Sequence, residues 1–140
     1  MALTISAVAP SLFSANGTSE GIGVVSALRV AADGVRSNPA VFRYDAAAKR
    51  MIGVPLDPGA EGDQVFLTLF GTGIRGPEAV RATIGGSDVP VLFAGAQNGW
   101  AGLDQVEIAP LPRSLAGMGE VDVAITAAGI TSNTVTIVME

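Results

Sequence analysis

The chain has 140 residues, 49% of them apolar and 15% charged, with a formal net charge of −5 and neither cysteine nor histidine. That length holds one domain with a core, and the apolar share excludes disorder over most of it. The missing residue types exclude disulfides, thiolate nucleophiles, cysteine-ligated zinc and histidine-based acid–base catalysis. A single lysine, Lys49, and scattered arginines leave no basic patch for nucleic acid.

Aromatics make up only 5%, so the core must be aliphatic. No stretch reaches the ~18 apolar residues of a membrane-spanning helix, so no membrane insertion is expected. The opening run "MALTISAVAPSLFSA" has no basic n-region, so it is not read as a signal peptide. Instead "LTISAV" (3–8) reads as a strand stopped by Pro10, and "SLFSANGTSEGIG" (11–23) as a polar, glycine-rich loop. "VVSALRVAA" (24–32) alternates, with Val24, Leu28 and Val30 on one face. "DGVRSN" (33–38) is a turn and "AVFRY" (40–44) the returning strand. "DAAAK" (45–49) is a turn or one helical turn, "RMIGVPL" (50–56) a short strand, and "DPGAEGD" (57–63) a loop.

"QVFLTLFG" (64–71) is the most apolar run. Val65, Leu67 and Leu69 face one way and Phe66, Thr68 and Phe70 the other, which predicts a central buried strand. "AVRATIG" (79–85) and "DVPVLFAG" (88–95) read as a hairpin about "GGS", and "LDQVEIA" (103–109) as the next strand. "LPRSLAG" (111–117) has room for one helical turn. "EVDVAIT" (120–126) puts Val121, Val123 and Ile125 inward, and "SNTVTIVM" (132–139) returns with Val135 and Ile137 inward. No segment sustains a helical apolar period. Nine or ten short, mostly antiparallel strands therefore predict an all-β, immunoglobulin-like β-sandwich over 1–140.

The chain also repeats itself. "LRVAADGVRSNPAVF" (28–42) aligns with "VAITAAGITSNTVTI" (123–137), matching Gly34 to Gly129 and Ser37-Asn38 to Ser132-Asn133. Shared turn chemistry accounts for this; so does one closing hairpin used twice.

Chemical motifs are sparse. "FGTGIRG" (70–76) lacks the spacing and the lysine of a phosphate loop and reads as a turn. Asp57, Glu61 and Asp63 read as solvated loop acids, although clustered oxygens also suit Ca²⁺; Asp104 and Glu107 show no glycosidase-like pairing. "NGT" (16–18) fits a glycosylation sequon, a short pattern common by chance, and reads as an ordinary turn. Lys49, beside Arg50, reads as solvated, which argues against an isopeptide cross-link. Trp100, with Gln97, Asn98 and Asp104 nearby, offers a sugar-stacking platform or a ring folded over the end of the sandwich. "ALTISAV" and "TVTIVM" are short, weakly charged and β-prone, so Thr4, Ile5, Val135 and Ile137 are candidate assembly-edge residues.

Three stretches carry a resemblance: 7–21, "DQVFLTLFGTGIRG" (63–76) and 82–137, with "LFGTGIR", "IGGSDVPVLFAG", "GLDQVEI" and "SNTVTI" the most specific elements. Together they resemble the Solibacter-type uncharacterised C-terminal domain of acidobacterial exported proteins, best over 63–140, with 1–62 an N-terminal strand and hairpin region. The sequence departs from the family at "VEIAPLP" (106–112), without functional consequence. The resemblance implies an IPT/TIG-like sandwich, a secreted or cell-surface location and an aromatic at Trp100, the last favouring the structural role of that ring. It implies no activity.

The expected function is thus a non-enzymatic structural module, without cofactor or metal, whose partners are other domains of a parent protein or identical subunits, assembled as an oligomer or fibre. The alternatives are glycan binding through the Trp100 loop and C-terminal sorting or anchoring.

Overall fold

The alternating run at 64–72 forms the centre of the structure, a computed structural model that describes residues 10–74, 80–97 and 102–140. The first half of the chain supplies β1 (Ser11–Leu12), β2 (Val25–Val30), β3 (Arg36–Ser37), β4 (Phe42–Asp45), β5 (Arg50–Gly53) and β6 (Gln64–Thr72). The second supplies β7 (Val80–Ile84), β8 (Ser87–Val89), β9 (Val91–Ala96), β10 (Asp104–Ile108), β11 (Gly119–Ala127), β12 (Ile130–Thr131) and β13 (Val135–Met139). Among the described residues a 3-10 turn at Arg113–Leu115 is the sole helical element, where one helical turn was expected.

The strands form two antiparallel sheets and a separate hairpin. One sheet runs β3-β2-β6-β10-β9, with β1 added to β6 beyond the end of β2. The other is built on β11, with β7 and then β8 on one edge and β12 and β13 on the other. β4 and β5 pair only with each other. Side chains alternate along a strand, so each sheet sends every second residue inward. Val65, Leu67 and Leu69 of β6 meet Val121, Val123 and Ile125 of β11 and Val135, Ile137 and Met139 of β13 in one aliphatic cluster. Each fully buried Val, Leu or Ile contributes about 1.5–3 kcal/mol, so this shared core holds the two sheets together. The result is the all-β sandwich that the strand pattern predicts.

Several expectations change in detail. The described residues hold thirteen strands rather than nine or ten, because two-residue pairings join the longer ones. The face of 24–30 that carries Val24, Leu28 and Val30 is the outer one; Val25 and Ala27 enter the core. Residues 40–44 do not return along β2. Pairing with β2 stops at Ser37, and the chain leaves to pair 42–45 with 50–53. The run 88–95 is not one strand: β8 stays beside β7, while β9 crosses to β10 in the other sheet. Pro90 sits at this crossing, where its missing N–H costs no ladder bond and its carbonyl accepts from Ala109 N–H at 2.8 Å. The 11–23 loop is paired at both ends, with Leu12 in the core and Ser14 bridged to Gly23.

The internal repeat is two related hairpins. Gly34 and Gly129 both have positive φ, at 88° and 77°, which a turn needs and glycine supplies. Their closures differ: Ala31 N–H bonds Val35 O across three residues, whereas Ala127 pairs directly with Ile130 across two. After its turn the second copy pairs with β11 as β12 and again as β13, whereas the first pairs with β2 only as β3.

β1 depends on one close approach. A Cβ at Gly71 would overlap the backbone carbonyl of Ser11, the residue before its ladder partner Leu12 on β1. Gly71→Ala is therefore expected to push β1 off β6 and lower stability by about 1–3 kcal/mol, the range for overpacking. Urea unfolding followed by fluorescence measures it, and an unchanged midpoint would contradict this packing.

Candidate functional site

The residues singled out in the sequence scatter. Trp100 and Asn98, and the N-terminal pair Thr4 and Ile5, lie outside the described residues. Gln97 directly follows β9; its N–H donates to Leu103 O at 2.9 Å, and its half-buried side chain leaves Oε1 without a partner among the described residues. Asp104 is buried at the start of β10, where Oδ2 accepts from Ile74 N–H at 2.9 Å. Its carboxylate thus braces the segment after β6.

Val135 and Ile137 point into the core, and β13 is not an open edge. One side pairs with β11. On the other, Gly23 N–H donates to Thr136 O at 2.9 Å and Thr136 N–H to Gly21 O at 2.8 Å. Farther along, Leu56 N–H donates to Val138 O at 2.8 Å and Glu140 N–H to Leu56 O at 3.0 Å. The assembly edge expected at Val135 and Ile137 is occupied from within the chain, because backbone groups next to a core need partners.

The loop acids serve the backbone. Asp63 accepts from Ala32 N–H at 3.1 Å and Ala60 N–H at 3.0 Å, and Asp57 accepts from Gly59 N–H at 2.8 Å. Arg113 reaches over to Gly59 O and Ala60 O at 2.7 and 3.0 Å. Among the described residues no group of three or more acids is placed to hold a metal ion. Lys49 is exposed in the β4–β5 turn. In the "NGT" sequon, the Asn16 amide accepts from Met51 N–H at 2.8 Å and donates to Met51 O at 3.0 Å, tying the loop to β5.

The "SNT" motif has a similar task. Between β12 and β13 the backbone leaves β11, and Ser132 Oγ accepts the Ile125 N–H at 3.0 Å. Asn133 then clamps β1: Oδ1 accepts Leu12 N–H at 2.8 Å, while Nδ2 donates to Leu12 O at 3.0 Å and Ser19 O at 2.7 Å. Its planar amide copies the donor–acceptor pair of one strand residue. The aligned Asn38 makes a single such bond, to Ala27 O at 3.2 Å.

The two outer faces of the sandwich differ sharply. That of the β11 sheet carries Thr83, Glu120, Asp122, Thr126, Thr131 and Thr136, with an exposed Arg81–Asp88 pair at 3.4 Å. It borders an open depression of about 630 Å³ lined by Glu20, Arg50, Glu120 and Asp122, with no aromatic among its walls. The outer face of the β6 sheet carries Leu28, Val30, Phe66, Phe70, Leu92 and Phe93 among Ser26, Gln64, Thr68, Gln105 and Glu107. Register sets Leu28 beside Phe66, Ser26 beside Thr68 and Glu107, and Gln105 beside Phe70. At the β9 edge the register slips between Glu107 and Ile108, so Leu92 bulges out, 62% exposed. Phe93, 45% exposed, lies over Gly95. A shallow depression of about 310 Å³ crosses this face, lined by Leu28, Phe66, Leu92, Thr68, Asn38 and Glu107.

Fold and surface together define an all-β sandwich with one polar outer face and one on which aromatic and aliphatic residues mix with polar ones. Comparison of the chain with protein-family profiles, curated proteins and solved structures finds no match.

Asn133→Ala removes three backbone-directed bonds at once. With about 0.5–1.5 kcal/mol per bond, the expected loss is about 2–3 kcal/mol. Hydrogen exchange should show it first as faster exchange at Leu12; an unchanged rate there would contradict the clamp.

Proposed function

We propose that this chain is a non-enzymatic, immunoglobulin-like β-sandwich module of an exported or cell-surface bacterial protein, acting through protein–protein contact. The observation that carries the reading is the outer face of the β6 sheet. Sandwich strands ordinarily alternate an inward apolar residue with an outward polar one. β6 instead turns Phe66 and Phe70 outward; Leu28 and Leu92 share a depression with Phe66, and Phe93 lies across Glu107 from β6. Large apolar side chains turned outward in this way support an interaction site. The resemblance to the Solibacter-type C-terminal domain supports the location, and the absence of histidine and cysteine supports the lack of catalysis.

The test uses the folded chain and a solvatochromic apolar dye. Binding is expected for the parent chain and should fall several-fold in the Leu92→Thr, Phe93→Thr double variant with the unfolding temperature nearly unchanged, since both side chains are exposed. Dye binding that ignores these substitutions would remove the face from consideration. The glycan alternative rests on Trp100, the only tryptophan. Saturable quenching of its fluorescence by soluble oligosaccharides, lost in Trp100→Ala, would replace the present reading; none is expected.

A further inference from the structure

We infer that the partner for this face is a second copy of the same chain, docked about a two-fold axis that sets Arg36 of each copy against Glu107 of the other. The inference rests on the preceding reading of the face and adds the identity of its occupant.

The argument is one of charge and register. Arg36, opposite Val30 on β3, and Glu107, opposite Thr68 on β10, are the charged residues at outward strand positions of this sheet. Both are exposed. Arg36 makes no ion pair among the described residues, and Glu107 is approached only by the Gln105 amide, at 3.3 Å. With strands about 4.8 Å apart and about 3.4 Å per residue, they sit three strands and four residues from each other, about 20 Å. That is too far for any interaction within one chain.

The midpoint between them falls on the Leu28–Phe66 pair. A two-fold axis lying in the interface plane and crossing the Arg36–Glu107 line at right angles at its midpoint does two things. It superposes each guanidinium on the carboxylate of the other copy, twice per dimer, and it packs Leu28 and Phe66 on their own counterparts at the centre. An isologous contact needs this self-complementarity, with an apolar centre and opposite charges at equal distances from it.

The size of the face sets the strength. Five strands by about six residues give about 24 Å by 20 Å, so about 1,000 Å² in total is buried by two copies, the lower bound for a specific interface. Each copy carries −5, which opposes approach. The expected product is a micromolar dimer that forms with rising concentration and stops at two, since a two-fold contact closes on itself.

Equilibrium sedimentation of the full chain from micromolar to millimolar tests this. The mass should rise from one chain to two and level there. Arg36→Glu and Glu107→Arg should each weaken association about tenfold or more by placing like charges face to face, and the double charge swap should restore it. Rescue cannot arise inside one chain, because the two positions are too far apart. A parent chain monomeric throughout, growth past two, or a double variant as weak as the singles would overturn the inference. If the dye still reports Leu92 and Phe93 on a monomeric chain, only the second copy is lost; if it does not, the underlying reading falls as well.

Discussion

β6 and β11 are the two nine-residue strands of the described structure, and each has strands hydrogen-bonded along both of its edges. Every other strand takes its position from one of these two or from a neighbour of one, except the β4–β5 hairpin. Their inward residues, Val65, Leu67 and Leu69 on β6 and Val121, Val123, Ile125 and Ala127 on β11, are all apolar, so the cluster between them has no polar gap. An aliphatic core of Val, Ile and Leu packs through shape alone, with no side-chain polar group in need of a partner. It therefore fixes the separation of the sheets while leaving both outer faces free to differ.

Where the ladders end, side chains take over from backbone. Asn133 at β1, Asn16 at β5 and Ser132 beside β11 each complete hydrogen bonds that a longer strand would have made. Asp63 and Asp57 do the same for the loop ahead of β6. Much of the polar sequence, which a chemist would first inspect for catalysis, is committed to closing the backbone of a fold built from many short pieces. This bears on the reading of the surface. Once those polar groups are set aside, the outward phenylalanines and leucines of the β6 sheet stand out on the exterior.

That side was partly legible in the sequence. The strict alternation at 64–71, 120–126 and 135–139 gave the correct inward faces, because one parity is aliphatic and the other is not confined to core positions. In 24–30 both parities are apolar: Val25 and Ala27 go inward, Val24, Leu28 and Val30 outward. Periodicity alone has no means of choosing there, and the ambiguity is itself the mark of a strand apolar on both faces. Long-range choices were not legible. Nothing local tells residues 40–44 to abandon β2 for 50–53, or the chain to change sheets at Pro90, since both depend on which edges other strands already hold. The candidate site joins β2, β3, β6, β9 and β10, brought together only by that topology.

The seat of β13 also has a kinetic side. Its outer edge is closed by residues near positions 22 and 56, and Asn133 grips Leu12 across 121 residues of chain. Contacts so distant in sequence form late and slowly, because the loop must close before any bond rewards it. Until residues 132–139 arrive, β11 has a bare edge and the core lacks a wall. The molecule should thus gain its cooperativity in a single late event, and a ribosome-bound chain shorter than this would remain a soft, edge-exposed precursor.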